Sequence, residues 1–204
     1  SHATSKISTA DDLDSISTLG FRGEALASIC AVSKVELLTR TADDTNGFCY
    51  VIEGGSEKSF EEAGCPVGTT MIVRDLFFNV PARMKFLKKD VQEGNHVSSV
   101  IERIAVSHPD IAFKYIRDGK VVFSTPGSGE LKDAIYAVFG REFTSTLMPL
   151  QYETSGITLH GMISTPIAAK SNRSLQILFV NGRFVKSVLF ISALEAAYKN
   201  SVMT

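Results

Sequence analysis

An α+β fold is what this sequence predicts, and three features carry the reading. Stretches rich in β-branched and aromatic residues alternate in period two and are separated by Asn, Asp and Gly turns. The segment 92–107 places Val97, Val100, Ile101, Ile104 and Ala105 at helical spacing. A loop hinged by Gly20 and Gly23 runs directly into helix formers that end at Ile29. With 204 residues, 44% apolar and 21% charged, the chain has material for one large or two small domains, each with its own core.

Taken in order, Ala10 to Ser17 reads as one or two helical turns capped by Ser8 or Thr9. The helix that begins near Gly23 is followed by strands at Lys34–Arg40 and Phe48–Glu53, joined through the Asp43–Gly47 turn. Gly54-Gly55 reverses the chain into a short edge strand at Ser59–Glu61. Gly64, Pro66 and Gly68 then break it before a strand at Thr69–Arg74. Pro81 opens a helix over Ala82–Lys89, since proline is tolerated where the first helical N–H has no partner. A core-facing helix over Gln92–Ser107 stops at His108-Pro109, and Asp118-Gly119 joins strands Ile111–Ile116 and Val121–Ser124 as a hairpin.

Thr125-Pro126-Gly127-Ser128-Gly129 is the densest run of Pro, Gly and small polar residues between two ordered patterns, and it marks a domain boundary. Domains of residues 1–125 and 130–204 follow. The second holds a helix Glu130–Phe139, strands Leu147–Tyr152, Ile157–Ser164 and Leu175–Val180, an Asn181-Gly182 turn into Arg183–Val185, and a helix from Ser187 to Tyr198.

A net charge of −1 excludes a uniformly basic nucleic-acid-coating protein, but the far end is locally basic. From Thr154 onward Lys170, Arg173, Arg183, Lys186 and Lys199 stand against Glu195 alone. That end suits a polyanion or is an ordinary solvated face. Cys30, Cys49 and Cys65 are odd in number, widely spaced and set among apolar residues, as reduced packing thiols would be. His2, His96, His108 and His160 have no ligand spacing with them, so no metal site is expected. No run is apolar enough to span a membrane and no leader opens the chain, so no membrane partner is expected and a cytoplasmic location is.

The glycine loop and helix permit two readings. A helix start presents unpaired N–H groups and a positive dipole end, which suits phosphate; two glycines three apart also make a plain tight turn. The wording of three blocks narrows the choice. His2-Ala3-Thr4-Ser5-Lys6-Ile7, then Leu19 to Ile29, then Gly68-Thr69-Thr70 leading to Asp75-Leu76-Phe77-Phe78-Asn79-Val80-Pro81-Ala82-Arg83-Met84-Lys85-Phe86-Leu87, closely resemble in this order the MutL family of DNA mismatch repair ATPases. Phe179-Val180-Asn181-Gly182-Arg183 matches the hairpin motif of that family's second domain.

The resemblance implies a partial Bergerat-type ATPase domain followed by a ribosomal-protein S5 domain 2-like domain, truncated at its carboxyl end. It implies that backbone N–H groups of Gly20, Phe21, Arg22, Gly23, Glu24, Ala25 and Leu26 contact the triphosphate. Arg22 either adds charge or steadies a lid, to which Thr4, Ser5 and Lys6 belong. Thr69 and Thr70 fall on the adenine side, although threonines in a strand need no such role. Arg183 and Lys186 are the expected DNA contacts. The whole family protein would use ATP with Mg2+, act as a homodimer and meet DNA and a mismatch-sensing MutS-type partner, coupling mismatch recognition to strand incision.

Ser1 stands where the resemblance has an arginine, and the chain reads as an internal piece of the family's amino-terminal half. The Glu-Asn-x-x-Asp-Ala motif, with its catalytic glutamate and metal-holding asparagine, and the adenine-reading Asp-x-Gly-x-Gly motif do not occur in it. The lysine that reaches the γ-phosphate is expected beyond Thr204. Hence no catalytic residue and no metal ligand is assigned here, no cofactor is expected to bind tightly, and the piece is expected to be inactive alone. Two other functions fit less of the wording: a non-catalytic DNA-binding module, and a different ATPase of the same superfamily such as a topoisomerase subunit.

Overall fold

Helix α1 (Ala25–Val32) and strand β1 (Lys34–Arg40) meet across Ser33, whose extended backbone (φ −146°) ends the helix. The computed structural model describes residues 24–168, 170 and 172–199, and the chain divides into two compact units at Lys89 and Asp90. In the first, β1 lies between β2 (Gly47–Glu53) and β4 (Gly68–Arg74), with β3 (Ser56–Ala63) outside β2. Every pairing is antiparallel. The edge strand expected at Ser59–Glu61 is eight residues long, because it follows β2 across a register shift at Val51 and Ile52.

Register sorts the side chains into two faces. Val35, Leu37 and Thr39 share one with Ile52, Tyr50 and Phe48 of β2 and with Val73, Met71 and Thr69 of β4. Lys34, Glu36, Leu38 and Arg40 share the other with Arg74, Ile72 and Thr70. Helix α1 packs on β1 and β2, Val35 of the first face is buried, and Cys30 of α1 adds to the pKa rise of Tyr50 on that same face. That rise comes first from burial and then from a hydrogen bond to Glu57. The apolar face is therefore the one that α1 covers.

After β4 the chain makes a four-residue helix α2 (Pro81–Met84), with Pro81 in its first turn as expected. It does not run on to Lys89. Phe86 is 85% exposed, so the segment buries no apolar face, and a short helix without tertiary packing is marginal.

The second unit starts with α3 (Asp90–Ser107), followed by the hairpin of β5 (Lys114–Arg117) and β6 (Lys120–Ser124). Asp118 and Gly119 both take positive φ (51° and 73°), the mirror-image turn that an Asp-Gly pair favours. Helix α4 (Leu131–Thr144) extends past Phe139 only through a kink at Gly140, where φ is 84°. Strands β7 (Leu147–Thr154) and β8 (Ile157–Ser164) pair along their whole length. β9 (Leu178–Val180) is shorter than expected and turns into β10 (Arg183–Val185). Helix α5 (Val188–Tyr198) is capped by the Ser187 hydroxyl, which accepts from the Phe190 N–H.

Ala105, Tyr115 and Phe123 form the core of this unit, with Ile101, Phe113 and Val138 packed against them. Val138 belongs to α4, so the core continues across the Thr125–Gly129 run that composition marks as a linker. That run is bonded rather than free. Buried Thr125 donates its N–H to the Phe113 carbonyl at 2.8 Å, its hydroxyl accepts from the Phe113 N–H at 2.9 Å, and the Gly129 N–H reaches the Pro109 carbonyl at 3.0 Å. Gly127 lies so close to Ala112 that a Cβ would stand 2.7 Å from its nitrogen. The break between compact units falls before α3.

Phe123, 5% exposed and 5.6 Å from the Tyr115 ring centroid, should be the most sensitive point of this core. Phe123→Ala is expected to destabilise the second unit by about 3–5 kcal/mol, read as a lower midpoint in urea denaturation followed by circular dichroism. A loss below about 1 kcal/mol would place the core elsewhere.

Candidate functional site

The expected lid residues Thr4, Ser5 and Lys6 and the loop residues Gly20, Phe21, Arg22 and Gly23 lie outside the described residues. Glu24, Ala25 and Leu26 are described, and all three are exposed at the start of α1. Glu24 is the N-cap, yet its side chain makes no capping bond. The first bond of the helix ladder runs from the Ser28 N–H to the Glu24 carbonyl at 2.9 Å, so the ladder supplies no acceptor to the N–H groups of Ala25, Leu26 and Ala27. A short helix with a positive end and no side-chain cap suits an anion there.

The other end of α1 is the opposite case. Ser33 donates its hydroxyl to the Ile29 carbonyl at 2.6 Å and Gly55 its N–H to Cys30 at 2.9 Å. Asn79 Nδ2 donates to Ala31 at 2.9 Å, the Phe77 N–H to Val32 at 2.7 Å, and the Gly54 N–H to Ser33 at 3.1 Å. Five successive carbonyls are thus satisfied, four of them by the β2–β3 turn and by the segment after β4. Sequence reading found Gly54-Gly55 as a reversal only, and it found the Asp75–Arg83 block as wording without a role.

Geometry explains both. Gly54 has φ 56°, and a Cβ there would stand 3.0 Å from Asn79 Nδ2 and 3.3 Å from Phe78 Cζ. Asp75 and Phe77 hold left-handed φ values of 53° and 65°, which residues with a Cβ adopt at a cost, and which turn the Phe77 N–H toward Val32. Lys34 braces the segment, with its ammonium 2.8 Å from the Asp75 carboxylate and 5.4 Å from the Phe78 ring centroid. Asp75 raises the Lys34 pKa, first through the hydrogen bond and then through its charge. A raised folded-state pKa means that the contribution is complete below the unfolded value and fades as pH climbs through the folded one, so the pair is formed at neutral pH.

Thr69 and Thr70 of β4 point to opposite faces. Thr69 is on the α1 face, its hydroxyl 2.9 Å from that of Thr39, whereas Thr70 shares the polar face with Leu38 and Glu36. The two threonines thus present their side chains to opposite faces of the sheet.

Far along the second unit, Asn181 and Gly182 take φ values of 49° and 74° and form a tight two-residue turn. Arg183 opens β10 and Lys186 follows it, both exposed. Arg103 of α3 stacks 4.3 Å over the Phe184 ring, and Phe179 meets Phe184 edge-on at 6.2 Å. Arg103 thus brings a further positive charge to this hairpin, from an element far away in sequence. Arg173 is held by Glu195 through two bonds of 2.7 and 2.9 Å, which offsets part of the basic excess counted along the chain. Among the described residues no three His, Cys, Asp or Glu side chains group as metal ligands, and no helix is long and apolar enough to cross a membrane.

Comparison with known proteins adds to this geometry. The sequence model of the family described as "DNA mismatch repair protein, C-terminal domain" matches residues 135–204. The DNA mismatch repair protein MutL of Agathobacter rectalis is 50% identical over 99% of this chain, and that of Symbiobacterium thermophilum 47% over 97%. The chain spans about a third of the length of these curated relatives, 31% of each. The structure of the Aquifex aeolicus MutL ATPase domain complexed with ADP superposes with a TM-score of 0.73 at 30% identity, covering 92% of this chain and 70% of that one. With a fold, a set of motifs and nearly its whole length shared with these proteins, the chain belongs to the MutL family of DNA mismatch repair proteins.

Proposed function

We propose that this chain forms one wall of the nucleotide site and part of the DNA-binding surface of a mismatch repair ATPase. The observation that carries the reading is the contrast between the two ends of α1. Its carboxyl end is fully bonded, while at its amino end the Glu24 side chain makes no capping bond and no other described side chain caps it. ADP in the Aquifex aeolicus relative supports a nucleotide as the anion.

In this reading the backbone N–H groups of Glu24, Ala25 and Leu26 hold phosphate together with the Gly20–Gly23 loop, and Thr4, Ser5 and Lys6 belong to the lid. Thr69, on the α1 face of β4, serves the adenine side, and Thr70 does not. ATP bound there supplies the phosphoryl group that is transferred to water. This chain contributes positioning and dipole charge, and no described residue acts as base. Mg2+ has no fitting donor set among the described residues, so no step is assigned to it here. The assignment of residues 1–125 to the ATPase domain and 130–204 to the S5-like domain is supported by a family match that begins at residue 135, within α4.

DNA is the polyanion for the second unit, held at Arg183 and Lys186 with Arg103 adding to the local positive field. A homodimer that meets a MutS-type sensor in the cytoplasm completes the proposal for the whole protein, as the family relatives suggest.

The chain by itself should bind ATP only in the millimolar range or weaker. A one-walled site offers a few solvent-competed hydrogen bonds of about 0.5–1.5 kcal/mol each, against several kcal/mol of lost translational freedom. Calorimetry with ATP and Mg2+, and phosphate release beside a longer form carrying the upstream motifs, should show turnover only for the longer form. Comparable turnover by this chain would reject the placement of the base outside it. In the longer form Thr69→Val should weaken ATP binding several-fold and Thr70→Val should leave it unchanged; equal losses would show that the face of β4 does not matter. Reversing both Arg183 and Lys186 to Glu should weaken binding to any DNA sequence and flatten the salt dependence by roughly two phosphate contacts. Unchanged low-salt affinity would remove this hairpin from the interface.

A further inference from the structure

Asn79 is exposed, lies outside any helix or strand, and sits at the far end of α1 from Glu24. Its Nδ2 nevertheless donates to the Ala31 carbonyl at 2.9 Å, across 48 positions of sequence. Among the described residues that donate to the end of α1 it is the one side chain from beyond the helix and its adjoining residue. It also interlocks the two loops that supply the rest, since its amide lies 3.0 Å from where a Gly54 Cβ would be. The left-handed residues Asp75 and Phe77 and the Lys34–Asp75 pair hold the segment in the path that presents Asn79 and the Phe77 N–H together.

An eight-residue helix is too short to persist alone, and α1 has no side-chain cap at its start. A helix transmits order along its ladder, because each bond fixes the residues that the next one needs. The position of its first turn is therefore set by what holds its last one. We infer that Asn79 is a positioning residue: by bonding Ala31 it fixes α1 along its axis and keeps the first turn, with Ala25 and Leu26, in place to meet phosphate. The inference rests on the nucleotide reading proposed above and adds the device that holds that wall still.

The test uses this 204-residue chain labelled for NMR, as wild type, Asn79→Ala, the isosteric Asn79→Asp, and Leu38→Ala, on the sheet face that α1 does not cover, as a control of general destabilisation in the same unit. Loss of the Asn79 bond should speed exchange of the Ser28 amide, the first bond of the ladder, by roughly three- to tenfold. Asn79→Asp should do more, since it replaces a donor with a carboxylate at the negative end of the helix. In the longer form carrying the upstream motifs, both variants should also reduce the shifts of the Ala25 and Leu26 amides when ATP is added, while Leu38→Ala, compared at the same margin below its melting temperature, should not. Exchange that rises only around Ala31 to Ser33, or equally in the Leu38→Ala control, would overturn the inference and leave Asn79 a local structural contact. Ala25 and Leu26 amides that ignore ATP in the wild-type longer form would instead reject the nucleotide reading, while the exchange comparison still decides whether Asn79 holds the far turn.

Discussion

Five carbonyls at one end of an eight-residue helix, each matched to a donor, govern how the first unit is arranged. Left unbonded in a packed setting, such carbonyls would be costly, and a helix this short would fray without them. Meeting them requires two loops to converge. One must turn tightly through Gly54 and Gly55, and the other must pass through left-handed Asp75 and Phe77. Each bond contributes only about 0.5–1.5 kcal/mol net, but together they hold an element that the Glu24 side chain does not cap at its other end. The strain at Asp75 and Phe77 is understandable on those terms: it is tolerated because it aims donors at α1.

In the second unit the governing term is apolar burial. Tyr115 and Phe123 from one hairpin, Ala105 from α3 and Val138 from α4 share a single cluster, and the Ser98 hydroxyl, 2.9 Å from that of Tyr115, meets the one polar group of that pair of rings. Charge is then distributed over this frame. Arg173 is tied to Glu195, while Arg103, Arg183 and Lys186 gather around an aromatic hairpin. A count along the sequence finds five basic residues at this end, but the fold ties one of them, Arg173, to Glu195 and sets Arg103 of α3 over the Phe184 ring.

What was legible in the sequence is what local rules govern. The Asp118-Gly119 and Asn181-Gly182 turns, proline at the start of α2, the alternation of β1 and β2 and the amphipathic α3 all follow from neighbouring residues, and all appear in the structure. Glu24, Ala25 and Leu26 were legible as a helix start for the same reason. The partners of Ala31 and Val32 were not, because Asn79 and Phe77 stand more than forty positions away and have no periodic signature. The bonds of the Thr125–Gly129 run were not legible for a related reason. Its composition is that of a linker, but its polar groups find partners at Pro109 and Phe113, and no pattern within the run announces them. The family wording preserved the Asp75–Arg83 block without saying what it does; the donors of Phe77 and Asn79 supply that reason.

The strand pairings also differ in how far apart their members lie along the chain. β1 with β2, β2 with β3, β5 with β6, β7 with β8 and β9 with β10 each join consecutive strands, whereas β1 with β4 spans two intervening ones. Local pairings close small loops and form early, while a pairing between distant segments must wait for the chain between them to be ordered. By that rule β4 is expected to be the last strand to enter the first sheet, carrying the Asp75–Val80 segment in with it. Before that moment α1 has only the β2–β3 turn and Ser33 to bond its final carbonyls, so the helix end matures at the close of folding. Run backwards, the same order has β4 leave first, an opening that would loosen α1 while β1, β2 and β3 stayed paired.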